Sequence, residues 1–500
     1  MKLNCYRHSL WKIQLCWSSA GRTVPMENSS LRYEKLAGEL AGLISGGVLQ
    51  HGDRLPSVRR LAQEKRLSVS TVVQALRQLE DRGLVEARPQ SGYFVRRPLA
   101  GRAAPQARPT PEAPMPVDIS QRLVRVLQSG MRPGVAPLAA ALPANELLPL
   151  AMLNRLYGSV ARRYPTALNG GSHVHMDEPA LVRQLVRRSL AWGGPLAAEE
   201  FVITNGCTEA LNLCLRAVTQ PGDTVAVESP AYYLMLQLLE SLGLRALEIP
   251  TDPRSGMSIE ALDLATRQGS IAACLLVSNG SNPLGCVMPD DNKRRLATLL
   301  AARNVPLIED DIYGDLHFGE RRPWPVKAFD TAGNVMLCAS FSKSLSPALR
   351  VGFVAAGRYR ARLALQKTII SGGTNPLTQM VLAEYLESGA YGRHLRGLRR
   401  SYERQVEAMR AAIARHFPEE TRITRPEGGY VLWVELPDDL DATALYERAI
   451  AECVAYVPGE LFSASGMYRN CLRLNCGNPH TPEIEDAVRR LGEVFRAVKA

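Results

Sequence analysis

The sequence holds no Cys-x-x-Cys pair. Its ten cysteines are scattered over 500 residues, and several, among them Cys214, Cys274, Cys338 and Cys453, sit inside apolar runs. That spread argues against a disulfide framework and against a cysteine-ligated metal, and for buried free thiols in a reducing, cytoplasmic setting. Nor is there an uncharged apolar stretch near the roughly 18–20 residues a bilayer span needs, so no membrane partner is expected. Residues 1–27 carry Lys2, Arg7, Lys12 and Arg22, and Lys12 and Gln14 break up their apolar residues. They make a poor signal peptide and read as a disordered extension, with Met26 an alternative start. No internal repeat is visible.

What is present points to more than one domain, since a domain usually takes about 100–200 residues. The hydrophobic fraction, 46%, suits a chain with large buried cores, and the net charge of +11 suits an anionic partner. Residues 28–97 are rich in arginine and helically periodic. Residues 98–117 contain Pro98, Pro105, Pro109, Pro111, Pro114 and Pro116 and read as an extended, semi-stiff linker. From residue 118 onward, short β-rich runs alternate with helical stretches. The runs are Phe201–Thr204, Thr224–Glu228, Ala273–Val277, Val305–Ile308 and Val335–Cys338. Such alternation predicts an α/β fold with a mostly parallel sheet.

Within residues 28–97, Leu36, Leu40, Leu43 and Ile44 mark a first amphipathic helix, which Gly46-Gly47 ends. Gly52-Asp53 makes a turn, and Ser57 is placed to cap a second helix carrying Val58, Leu61 and Ala62, with Arg59 and Arg60 outward. Ser68 caps a third helix. Its Val69, Val72, Val73, Leu76 and Leu79 recur at helical spacing, while Ser70, Thr71, Gln74 and Arg77 fall on the other side. Hydroxyls, an amide and a guanidinium on one helix face suit phosphates and base edges. Gly83 ends this helix. Residues 84–88 and 92–95 then form a hairpin around Pro89-Gln90-Ser91. The segment holds twelve basic and seven acidic residues.

The run Gly52 to Ala62, with Ser68, Thr71-Val72, Ala75-Leu76, Leu79-Glu80 and Gly83-Leu84-Val85, resembles the GntR-type winged helix-turn-helix. The resemblance implies contacts to double-stranded operator DNA from Arg54, Ser57, Arg59, Ser68, Ser70, Thr71 and the wing at Gly92. Gln74 and Arg77 are added from their place on the helix. Val69 and Val73 stand where this family often has basic residues.

The second half offers a series of polar groups, each just after an apolar strand. Ligands of parallel α/β sheets bind at that edge. Thr204-Asn-Gly-Cys-Thr208 opens a helix, as an anion-binding turn does. Pro230-Ala-Tyr232 brings an aromatic ring, and Ser281-Asn282-Pro283-Leu284-Gly285 an amide. Glu309-Asp310-Asp311-Ile312-Tyr313 brings carboxylates and a phenol. Ser340-Phe-Ser342-Lys343-Ser344 brings an amine, with Arg350 seven residues on. Each is weak alone; together they supply what a pyridoxal phosphate site requires.

Residues from about 120 to 500 are similar to class I/II aminotransferases of fold type I. With the first module, the whole chain resembles the MocR subfamily of GntR-type regulators. The resemblance implies an α/β architecture: a winged helix-turn-helix at 28–97, then, over 118–500, a mostly parallel sheet with flanking helices and a smaller α+β subdomain. It implies pyridoxal 5'-phosphate as cofactor, Lys343 as its Schiff-base lysine, and Asp310 paired with the pyridinium nitrogen. Tyr313 and Asn282 would meet the ring oxygen, and Tyr232 would stack on the ring. Gly206, Cys207, Thr208, Ser340 and Arg350 would hold the phosphate. In Cys471-Leu-Arg473-Leu-Asn475, Arg473 would grip a ligand's α-carboxylate. Two features depart from the family. The segment His173 to Glu178 replaces its usual Tyr-Gly turn, and Asp-Asp-Ile-Tyr replaces the Asp-Asp-Tyr of some members.

Three functions fit this reading. The chain is a homodimeric regulator sensing an amino compound or a vitamin B6 form, or a working aminotransferase tethered to DNA, or a pseudoenzyme with the cofactor as effector or scaffold. The first is expected, with no physiological turnover.

Overall fold

The structure is a computed structural model that describes residues 32–45, 48–49, 52–81, 84–88, 92–95, 102–168 and 177–497. The 1–27 extension, the stops at Gly46-Gly47 and Gly83, the 89–91 turn and residues 173–176 lie outside this range. The chain divides into two compact units, residues 1–100 and 101–500.

In the first unit, helices Arg32–Ser45, Val58–Lys65 and Val69–Asp81 precede strands β1 (Val85–Arg88) and β2 (Gly92–Val95). The strands pair antiparallel, Val85 opposite Val95 and Arg88 opposite Gly92. Ser57 Oγ accepts from the Arg60 amide, closing the start of the second helix. Leu36, Leu40, Ile44, Leu61, Val72, Leu76 and Leu79 form the core with Val85 and Val95. Two apolar residues depart from the periodic reading. Leu43 is exposed, and Val69, at the first turn of the third helix, is 53% exposed. Val69 stands where the helix has not yet reached the core, so periodicity alone overstated the buried face.

In the second unit, the proline-rich stretch is extended but not free. Arg102 donates to the carbonyls of Ala414 and Phe417 (2.9 and 3.1 Å) and of Pro418, at the C-terminal end of helix Ala390–His416. There its charge meets the negative pole of the helix. Thr110 donates to the Glu248 carbonyl, and β3 (Met115–Pro116) pairs with β6 (Arg245–Asp252). Prolines prevented a helix here, as expected, but arginines and one strand pair fasten the segment to the unit that follows.

The large sheet also contains β4 (Phe201–Thr204), β5 (Thr224–Ser229), β7 (Gly256–Met257), β8 (Ala273–Leu276), β9 (Leu307–Asp310), β10 (Val335–Ser340) and β11 (Gly352–Ala355). Its order is β3-β6-β5-β8-β9-β10-β11-β4, with β7 on β6. From β6 to β10 neighbours are parallel; β11 is antiparallel to both β10 and β4. Two apolar clusters, one on Val225, Val227, Leu275 and Ile308 and one on Ala226, Cys274, Leu276 and Leu307, take alternate residues of the same strands. Both faces of the sheet are therefore covered. A smaller antiparallel sheet follows, ordered β12 (Arg422–Ile423), β13 (Val431–Glu435), β15 (Cys471–Asn475), β14 (Val457–Pro458).

Strand boundaries move by one or two residues in β5, β8, β9 and β10, and the shift in β9 bears on the site. Apolar character places the strand end at Ile308, but β9 runs on through Glu309 and Asp310. Leu276 pairs with Glu309 on one side and Cys338 with Asp310 on the other. Cys207, Cys214, Cys274 and Cys338 are buried free thiols, whereas Cys453 is exposed. Cys453 sits at φ 56° in a turn, outside the packed layer.

Candidate functional site

On the first unit, Ser68 Oγ accepts from the Thr71 amide at 3.1 Å and lies 2.8 and 2.7 Å from the hydroxyls of Ser70 and Thr71. These three hydroxyls crowd the start of the third helix, where amides point outward and anions bind. Gln74 and Arg77 are exposed further along it, and Arg59 is exposed on the second helix. Arg60, by contrast, is engaged with Glu64 at 2.7 Å. Arg54 bridges to Phe94 of the hairpin, and a side-chain carbon at Gly92 would sit 3.5 Å from its Nε. Gly92, at φ 101°, keeps the wing close to that guanidinium.

On the second unit, parallel strands deliver their ends to one edge. There β4 ends before Gly206 to Thr208, β5 before Tyr232, β8 before Asn282, β9 at Asp310 and β10 at Ser340. Because β11 runs the other way, Arg350, just before it, reaches the same edge. The result is a cavity of about 150 Å³ lined by Cys207, Thr208, Tyr232, Asn282, Asp310, Tyr313, Ser340, Lys343 and Arg350, with Ser342, Leu142 and Ile312 beside them.

Gly206 is not in the lining but shapes it. It precedes helix Cys207–Val218 at φ 87°, and no side chain caps that helix start. A Cβ at 206 would lie 2.9 Å from Arg350 Nη2, whose guanidinium donates to the Asn205 carbonyl. The uncapped helix start and Arg350 thus lie side by side, a setting that suits an anion.

Asp310 accepts from the Ile312 amide (3.0 Å) and from the Cys207 thiol (3.4 Å). Burial pushes its carboxyl up to about 6. Lys343 donates to the Ala141 carbonyl at 2.7 Å, and burial, helped by the charge of Arg473, pushes its ammonium down to about 8. Arg473, on β15, is fully buried but does not line the cavity. It donates one bond to the Ala139 carbonyl, while its Nε and Nη1 have no hydrogen-bond partner among the described residues. The rings of Tyr233 and Phe462 lie 5.7 and 5.8 Å from it. Of the sequence-read set, His173 to Met176 fall outside the described residues. The contribution of Ala139, Ala141 and Leu142 was not visible in the sequence. Two of them act through backbone carbonyls, which every residue carries.

Residues 179–491 match the family model for aminotransferase class I and II, and residues 32–95 match that for bacterial regulatory proteins of the gntR family. Over 473 residues the chain is 41% identical to the uncharacterized HTH-type transcriptional regulator YjiR of Escherichia coli (strain K12), covering 94% of this chain and 100% of YjiR. It is 38% identical over 472 residues to YdcR of the same strain, also an uncharacterized HTH-type transcriptional regulator, covering 93% and 99%. A crystal structure of LysN, the alpha-aminoadipate aminotransferase of Thermus thermophilus, complexed with N-(5'-phosphopyridoxyl)-L-leucine, aligns with TM-score 0.68 at 32% identity, covering 75% of this chain and 95% of that one.

Fold and matches together define a DNA-binding module joined to a fold-type I aminotransferase domain, whose cofactor is pyridoxal 5'-phosphate. The chain belongs to the MocR subfamily of GntR-type transcription regulators.

The residues present fit that cofactor. Among the described residues, Asn282 Oδ1 and the Tyr313 hydroxyl are buried without hydrogen-bond partners, a costly state unless a polar ligand meets them. The uncapped helix start and Arg350 suit its phosphate, and the buried Asp310 suits a protonated ring nitrogen.

Proposed function

We propose that the second unit senses an amino compound or a vitamin B6 form at this cavity and alters DNA binding by the first. Asn282 and Tyr313 carry the reading, as buried polar atoms left open, among the described residues, in the cavity that also holds an amine whose pKa burial lowers to about 8. Asp310 would orient the cofactor's ring by its nitrogen, Tyr232 would cover its face, and Asn282 and Tyr313 would meet its oxygen. Gly206, Cys207, Thr208, Ser340 and Arg350 would hold the phosphate. When bound, the cofactor supplies an electrophilic carbon and an electron sink for amino compounds. Lys343 would hold it covalently and, when free of it, would hold or move a proton at Nζ. Arg473, with two nitrogens free, receives the ligand's carboxylate. The phosphopyridoxyl-leucine in the LysN structure joins a cofactor skeleton to an amino acid and supports that ligand class.

Arg54, Ser57, Arg59, Ser68, Ser70, Thr71, Gln74, Arg77 and Gly92 would contact operator DNA. Two such modules reading two half-sites imply a homodimer. Exposed apolar Leu365 and Ile369, one helical turn apart, are candidates to be covered in it. A DNA-binding regulator acts in the cytoplasm.

The test is to screen amino acids, amines and B6 forms against the holoprotein for a change in cofactor absorbance. A sensor gives one stoichiometric change per site. Sustained multiple turnover with a keto acid present would instead make the chain a working aminotransferase, a reading that the ease with which buried Lys343 loses its proton favours.

A further inference from the structure

Lys343 lies three residues beyond the end of β10, past the ladder that fixes Asp310 opposite Cys338. Something other than the sheet must therefore set where the amine stands relative to the acid. The Ala141 carbonyl holds the amine at its tip, and the next residue shows what holds the backbone beside it. Ser344 is gripped at two atoms by helix Ala390–His416. Its hydroxyl lies 2.9 Å from the Tyr391 hydroxyl, and its carbonyl 2.7 Å from His394 Nε2.

Tyr391 donates its single proton to the Asp315 carboxylate at 3.0 Å, which leaves its oxygen to accept from Ser344. Asp315 also accepts from Arg322 Nε at 2.9 Å and from Arg188. Arg322 reaches on, through Nη2, to Asp311. Asp311 is the residue after Asp310, and its amide donates to the Cys338 carbonyl at 2.8 Å. The chain of contacts is continuous from the neighbour of Lys343 to the neighbour of Asp310, and none of Tyr391, Asp315 or Arg322 lines the cavity.

The linking groups are charged, with Asp315 half-buried and Arg322 deeper. The side chains of Arg322 and Asp311 are 9% and 1% exposed. Against the desolvation of its site, the Arg188 and Arg322 guanidiniums hold the Asp315 carboxyl well below the usual carboxylate range. A buried ion pair often contributes little net stability compared with apolar packing of the same shape. Its planar fork does fix the distance between two carboxylates.

We propose that Arg322 and Asp315 are positioning residues that set Lys343 relative to Asp310, through Tyr391 and Ser344 on one side and Asp311 on the other. The proposal rests on the cofactor reading of Lys343.

The test uses holoprotein of the wild type and of Tyr391→Phe, Asp315→Asn and the double variant. Three quantities are read: the pH midpoint of the Lys343-dependent cofactor absorbance, the dissociation constant for pyridoxal phosphate, and the melting temperature of the cofactor-free protein. Tyr391→Phe keeps the ring and breaks the link. It is expected to move the spectral midpoint by about half a unit or more and to weaken cofactor binding about fivefold, with melting nearly unchanged. The double variant should go no further than the larger single, because both break one chain. An unmoved midpoint and affinity in Tyr391→Phe, or shifts that only track melting temperature, overturn the proposal. Wild-type absorbance lost in Lys343→Ala is read first. If it is missing, the cofactor reading fails and this proposal falls with it. If it is present, failure in Tyr391→Phe counts against the positioning role alone.

Discussion

The Lys343 ammonium donates to the Ala141 carbonyl at 2.7 Å. To bond a cofactor, the amine must leave this partner and lose a proton. Burial favours the loss and brings its pKa from 10.5 down to about 8. The rate at which cofactor-free protein captures pyridoxal phosphate should then climb about tenfold per pH unit and level off above about 8. Stopped-flow absorbance over pH 6–10 measures it. A midpoint near an ordinary lysine's would contradict the burial.

Arg473 is costly where it stands. Two of its buried nitrogens are unpaired among the described residues, so Arg473→Met should leave the melting temperature of the cofactor-free protein unchanged or raise it. The same change should cost a carboxylate-bearing effector about 2–5 kcal/mol of binding while cofactor binding persists. Lys343, relieved of a nearby positive charge, should shift its midpoint upward. Calorimetry and the capture experiment check both directions.

On the DNA-binding module, Arg59 and Arg60 are adjacent but unequal. Both are exposed, but Arg60 is engaged with Glu64. Arg59→Ala should weaken operator binding and reduce the salt dependence by about one phosphate contact. Arg60→Ala should do less. Gln74→Ala should cost about 1–3 kcal/mol on the operator and little on random DNA. Fluorescence anisotropy at several salt concentrations separates these effects.

Arg102 satisfies carbonyls at the end of helix Ala390–His416. Arg102→Ala should destabilise the second unit by about 0.3–1 kcal/mol. It should also raise amide exchange over residues 414–421, which mass spectrometry after deuterium labelling will show.

The strand-end residues were legible because a parallel sheet must present its ligand at one edge, and Asp310, Lys343 and Arg350 are chemically conspicuous there. The boundary of β9 was not, because Glu309 and Asp310 are held in the ladder by neighbours on both sides that only the fold supplies. The fastening of the 102–117 segment was hidden too, since Arg102 bonds main-chain carbonyls more than 300 residues away. Val69 shows the converse error. Apolar periodicity counted it as core, yet its position at the helix start exposes it. The Arg322–Asp315–Tyr391 link escaped the sequence for a further reason: its members come from separate segments that only folding brings together.

The central claim is that ligand chemistry at Lys343 governs DNA binding. It is tested most directly by titrating an amino compound that changes the cofactor absorbance while following operator affinity in the same sample. Both should change over the same ligand range, operator DNA should shift the ligand's affinity by the same factor, and Lys343→Ala should abolish both. A full absorbance change with operator affinity unmoved would contradict it.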